Sequence, residues 1–146
     1  MRKRTQAREF ALQILYKRDL NPDSAGDLFR SFWEANLTSS EVREYTERIV
    51  QGTLLHVDEI DAVLSKYAEH WELHRMAVVD RNILRFSTFE LLYLEDVPPK
   101  VVINEAVNIA KKFSQEESGK FVNGVLDKIH PSEPRRFLKA DQPGLS

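Results

Sequence analysis

The sequence predicts an all-α fold, and three observations carry that prediction. Apolar residues recur at helical spacing through nearly the whole chain. No window alternates with period two for long enough to make a strand. The five glycines and six prolines fall mostly where the apolar pattern breaks. With 146 residues, 42% of them hydrophobic, the chain suits one domain with a real core and has no room for a second full-sized catalytic domain.

Ala7, Phe10, Ala11, Ile14 and Leu15 form the stripe of a first helix, which opens near Thr5, with Arg2 and Lys3 ahead of it, and stops before Asn21-Pro22. Ser24-x-x-Asp27 caps a short second helix carrying Leu28, Phe32 and Ala35. Thr38-x-x-Glu41 has capping-box spacing and opens a third with Val42, Tyr45, Ile49, Val50 and Leu54. Asp58 or His56 starts a fourth, with Ile60, Val63, Leu64 and Tyr67. The segment from Met76 to Leu94 is apolar on more than one side, which marks a central helix with neighbours on several faces; Pro98 ends it. Val102, Ile103, Ala106, Ala110 and Phe113 make the stripe of a sixth helix. Ser114-x-x-Glu117 repeats the capping-box spacing and opens a seventh with Phe121, Val122, Val125, Leu126 and Ile129, ending before His130-Pro131. Three of the six prolines lie in 131–146, so the reading is one domain over residues 1–130 and a flexible tail over 131–146.

Several chemistries are excluded at this level. Cysteine is absent, which removes disulfides, thiolate metal sites and a cysteine nucleophile, and fits the cytoplasm. No bilayer-length stretch is free of charge, and Arg8 and Glu9 interrupt any apolar leader after the basic start. Gly-rich phosphate loops and a GxSxG elbow are missing. His70 and His74 share a helical face, but Glu72 points away from it and no third ligand is near, so they read as surface histidines. The paired acids Asp58/Asp61 and Glu116/Glu117 sit in first turns, where the helix dipole already accounts for them. Asn104 and Glu105 interrupt an apolar helix and read as structural, bonded to backbone or to Arg85. The expectation is a protein with no cofactor, no metal and no catalysis.

Binding remains. Residues 1–18 hold six cations against Glu9 alone, a net of +5, while the other 128 residues carry −7. A basic end on an acidic body points to one local anionic contact. Arg4 and Arg8 stand one helical turn apart at an edge of the apolar stripe. Gln6, Gln13 and Lys17 share the polar face, with Tyr16 farther round. Arginine forks grip phosphates, glutamines read base edges, and an exposed tyrosine stacks on an unpaired base, as single-stranded RNA recognition requires. Lys111, Lys112, Gln115 and Lys120 surround the start of the last helix, whose free N–H groups favour anions, although Glu116 and Glu117 share that turn.

Ala7-Arg8-Glu9, Ala11-Leu12-Gln13, Leu15-Tyr16, the run from Asp80 to Arg85 and Phe89-Glu90-Leu91 resemble the NusB family of bacterial transcription antitermination factors. So do Val97-Pro98, Val102 to Val107, Ala110-Lys111 and Phe121 to Asp127, in the family's order over about residues 4–128. The resemblance implies a seven-helix fold in two packed halves, helices 1–3 (about 5–56) and helices 4–7 (about 57–130). It implies a non-enzymatic role: binding boxA RNA of nascent ribosomal RNA transcripts with the NusE ribosomal protein, so that the RNA polymerase elongation complex, with other Nus factors, passes terminators. Carried over by position, the RNA-side residues are Arg2, Lys3, Arg4, Arg8, Gln13 and Tyr16, then Lys111, Lys112, Gln115, Glu117, Lys120 and Phe121; Asp80 matches a position facing NusE. Thr5 and Gln6 stand where some relatives place arginines, which implies a weaker hold on RNA alone. The four cations of residues 2–8 give a salt slope of about 3 at most. Other readings are a helical adaptor that homodimerises, and an RNA-docking module related to that of ribosomal RNA methyltransferases.

Overall fold

A computed structural model of the chain describes residues 2–22, 25–68 and 75–137. Among these the backbone forms α1 (Arg2–Leu20), α2 (Ala25–Ala35), α3 (Ser40–Leu55), α4 (Val57–Tyr67), α5 (Val78–Tyr93), α6 (Pro99–Phe113) and α7 (Glu116–Ser132), with no strand. The all-α expectation holds. The Ser24 cap and the His70/His74 pair lie outside the described residues.

Helix α5 is the axis of the molecule. Eleven of its sixteen residues are buried, and it packs against α1, α3, α4, α6 and α7. One half consists of α1, α2 and α3; α4, α6 and α7 complete the other around α5. Phe10 of α1 meets Phe32 and Trp33 of α2 edge to face, at centroid distances of 5.1 and 5.8 Å. Asp19 at the end of α1 accepts from Arg81 (3.0 Å) and Asn82 (2.9 Å) of α5, while Arg85 grips Asp61 of α4 with two bonds of 2.8 Å. The α3–α5 crossing is close enough to require glycine: a β-carbon on Gly52 would lie 2.0 Å from the Phe89 ring.

Between the halves lies a buried polar network. Arg8 is 1% exposed and donates from Nε and Nη2 to the two oxygens of Glu90, each at 2.8 Å, and from Nη1 to Glu105 at 2.8 Å. The Tyr45 hydroxyl donates to Glu90 as well, and the Thr5 hydroxyl to Glu105. Burial opposes the Arg8 charge, but the attraction of Glu90 outweighs it and raises the guanidinium pKa. Burial and the neighbouring Glu90 charge push the Tyr45 phenol up, so it stays a donor. One arginine thus joins α1, α5 and α6, with Tyr45 adding α3.

Several local expectations are corrected. Arg2 and Lys3 lie inside α1, which starts earlier than expected because the buried Arg8 and Ala7 anchor its first turns. The cap of α3 is Ser39, accepting from the Val42 N–H at 3.3 Å, one residue after the expected Thr38. His56 precedes α4, one of its two expected starts, without a side-chain cap bond; α7 is preceded by Gln115 rather than the expected Ser114, whose hydroxyl pairs with that of Ser118 at 2.8 Å. Glu105 binds Arg8 rather than Arg85, and Asn104 is exposed. Helix α7 continues through Pro131, and residues 133–137 are tied down rather than free as the start of a tail. Arg135 donates to the carbonyls of Leu91 (2.6 Å) and Leu94 (2.8 Å) at the end of α5 and of Val97 (2.9 Å) in the turn that follows. The Arg136 N–H bonds Leu92 O, and its guanidinium pairs with Glu59 and Glu133.

Candidate nucleic-acid interface

The periodicity of α1 fixes which of its polar residues reach solvent. Ala7, Ala11, Ile14 and Leu15 are buried, which leaves Gln13, Tyr16 and Lys17 along one flank and Arg2 and Lys3 at its start. Gln13, Tyr16 and Lys17 line a shallow groove of about 230 Å³ with Leu12, Val79 and Phe113. Tyr16 is 38% exposed and Phe113 37%, so this groove offers two partly open aromatic faces beside an amide and an ammonium group. Phe113 was expected in the core stripe of α6; as the last residue of that helix it turns outward. Its neighbour Lys112 lies 5.4 Å over its ring and bridges to Glu9 of α1 at 3.1 Å.

The basic start of α1 divides into exposed and anchored cations. Arg2 and Lys3 are exposed, Lys3 facing Glu41 at 3.2 Å. The Arg4 guanidinium carbon lies over the Tyr45 ring, 4.5 Å from its centroid, and Arg4 donates to Asp96 at 2.9 Å. Burial works to raise the Asp96 carboxyl, but Arg4 and Arg48 outweigh it and hold it below its ordinary value. Arg8 corrects the sequence reading. With its side chain enclosed and its donors spent on Glu90 and Glu105, it holds the helices together and does not reach an external phosphate. From Arg4 to Tyr16 the helix rises about 18 Å, so the exposed residues of α1 form an elongated flank rather than a point.

A second groove, of about 340 Å³, lies between the starts of α5 and α7. Met76, Ala77, Asp80, Gln115, Glu117, Ser118 and Phe121 line it. The structure therefore brings Asp80, expected to face a protein partner, together with three residues expected on the RNA side. Asp80 accepts from the Ser118 hydroxyl at 3.2 Å, and burial raises its carboxyl against that bond. Lys111 and Lys120 are exposed beside it, near Glu116 (3.8 Å) and Glu117 (3.4 Å). Among the described residues no cluster of His, Asp and Glu is arranged to hold a metal ion, and no helix is long and apolar enough to cross a membrane.

The comparisons with known proteins agree with this architecture. The model of the NusB family matches residues 5–131. A transcription antitermination protein NusB from Thermodesulfovibrio yellowstonii is 42% identical over 141 residues, covering 90% of this chain and 93% of the relative. T. maritima NusB superposes with a TM-score of 0.81 at 37% identity, over 91% of this chain and 93% of that one. A crystal structure of the antitermination factors NusB and NusE in complex with double-stranded RNA contains a chain that superposes with a TM-score of 0.82 at 36% identity, over 90% of this chain and 98% of that one. With the family model spanning nearly the whole described helical domain, this chain belongs to the NusB family.

Proposed function

We propose that this chain is a transcription antitermination factor that binds the boxA RNA of nascent ribosomal RNA transcripts together with NusE, in the cytoplasm and on the RNA polymerase elongation complex with other Nus factors. The observation that carries the reading is the Tyr16–Phe113 groove: two partly open rings flank Gln13 and Lys17, with Lys112 at its edge. Each base stacked on such a ring contributes about 1–3 kcal/mol, and each phosphate neutralised on a single strand adds about 0.7 to the salt slope. Gln13, Tyr16, Lys111, Lys112, Gln115, Glu117, Lys120 and Phe121 form the RNA side, with Arg2, Lys3 and Arg4 extending it along α1. Asp80 receives NusE, and its place beside Gln115, Glu117 and Phe121 supports adjoining RNA and protein contacts. The protein acts as an adaptor and not as an enzyme.

The test is a gel-shift titration with boxA and scrambled RNA, with and without NusE, at two salt concentrations. Preference for boxA that grows when NusE is present is the expected result. Equal binding of both RNAs, with NusE making no difference, overturns the reading. A homodimer that forms without RNA and never binds it, seen by light scattering, would favour the adaptor alternative.

A further inference from the structure

Among the cations of the RNA face proposed above, Arg4 and Lys112 make the shortest ion pairs with carboxylates of the chain itself, each supplied by a different element, and Lys3 also faces Glu41 at 3.2 Å. Arg4 Nη2 donates to Asp96 at 2.9 Å, and Lys112 Nζ reaches both oxygens of Glu9, at 3.2 and 3.1 Å. Arg4 does not need its carboxylate to stay in place. Its guanidinium rests on the Tyr45 ring at 4.5 Å, and that ring is fixed by the hydroxyl bond to buried Glu90. Asp96 also has a second cation to turn to, Arg48 Nη2 at 3.7 Å.

We propose that Asp96 is a built-in competitor for RNA phosphate at Arg4, with Glu9 playing the same part at Lys112, and that the two carboxylates lower the RNA affinity of this face. The inference rests on the RNA-binding reading. A phosphate oxygen approaching Arg4 must share the nitrogen that Asp96 holds, or displace the carboxylate toward Arg48. Displacement costs little, because the side chains of Arg4 and Asp96 are 40% and 49% exposed and water already screens the pair. The same carboxylate repels the phosphate over a few ångströms until it moves. The surface is therefore partly neutralised by its own acids, and RNA gains less from it than its cations alone would give.

The experiment measures binding of fluorescein-labelled boxA and scrambled RNA by anisotropy, at low and moderate salt, for the parent, Asp96→Asn, Glu9→Gln, Arg4→Ala and Asp96→Asn/Arg4→Ala. Glu95→Gln, an exposed acid beside Asp96, controls for the change in net charge. Circular dichroism melting verifies that each variant is folded. Asp96→Asn is expected to bind boxA about two- to fivefold tighter, the range an exposed pair is worth. Its salt slope should steepen by up to about 0.7, one further phosphate contact. Glu9→Gln should shift affinity in the same direction, and the Asp96→Asn gain should vanish when Arg4 is alanine. An Asp96→Asn variant that binds no tighter than the parent overturns the proposal. So does a gain that Glu95→Gln matches, or one that survives Arg4→Ala. If the parent does not prefer boxA at all, the RNA-binding reading itself has failed; if it does and Asp96→Asn gains nothing, only the competition has.

Discussion

Replacing Arg8 by alanine removes the one cation paired with Glu90 among the described residues, leaves that 1% exposed carboxylate without it, and takes a bond from Glu105. Glu90 keeps the Tyr45 hydroxyl as a donor, but a neutral donor does not balance a charge held away from water. Breaking a buried pair by removing one partner costs about 3–5 kcal/mol, a third or more of the stability of a typical domain. With a urea slope near 2 kcal/mol per molar, the denaturation midpoint should fall by roughly 2 M. The assay is urea unfolding followed by circular dichroism at the helical band. Adding Glu90→Gln to the Arg8→Ala variant removes the stranded charge and should recover part of the loss. A midpoint shift below about 0.5 M would refute the reasoning, because a side chain that merely touched phosphate would cost little stability when removed.

Three further outcomes follow from the same contacts. Gly52→Ala forces a β-carbon against the Phe89 ring and should lower stability by about 1–3 kcal/mol or more in the same urea titration. Arg135→Ala frees the carbonyls of Leu91, Leu94 and Val97 and should cost about 1.5–3 kcal/mol; truncation after Pro134 should lower the thermal midpoint similarly. At low pH two carboxyls matter: Glu133, lowered chiefly by the Tyr67 hydroxyl and then by Lys66, and Asp96, where Arg4 and Arg48 outweigh burial. A depressed folded value means stability that is present above the ordinary one and lost as pH falls through the folded one. The melting temperature should therefore hold down to about pH 4.5, the ordinary value for Glu133, and fall below it; Asp96→Asn should remove part of that fall.

The helices were legible because their apolar stripes are long and α5 is apolar on several sides. Tertiary contacts decided what was not legible. Glu90 stands in the run Phe89-Glu90-Leu91-Leu92, where no solvent face is left, and a buried acid requires a buried cation; Arg8 answers it from 82 residues away. That separation hid the pair, so Arg8 read as one more surface arginine. The α3 cap slipped from Thr38 to Ser39 because two adjacent hydroxyl residues can both cap, and Thr38 turns toward Gln6. Residues 133–137 lack periodicity, yet backbone carbonyls at the end of α5 hold them, and a pattern of side chains does not reveal such acceptors. Phe113 lay at the right interval for the core, but at a helix end the stripe no longer determines direction.

In the proposed function the flank of α1 and the junction of α6 and α7 grip RNA, while the buried Arg8–Glu90 pair only holds them in place. Backbone amide shifts recorded during titration with boxA RNA test it most directly. Shifts are expected to concentrate at Gln13, Tyr16, Lys112, Phe113, Lys120 and Phe121. Shifts confined to the outer side of α4, around Asp58, Ala62 and Lys66, with the α1 flank unmoved, would contradict it.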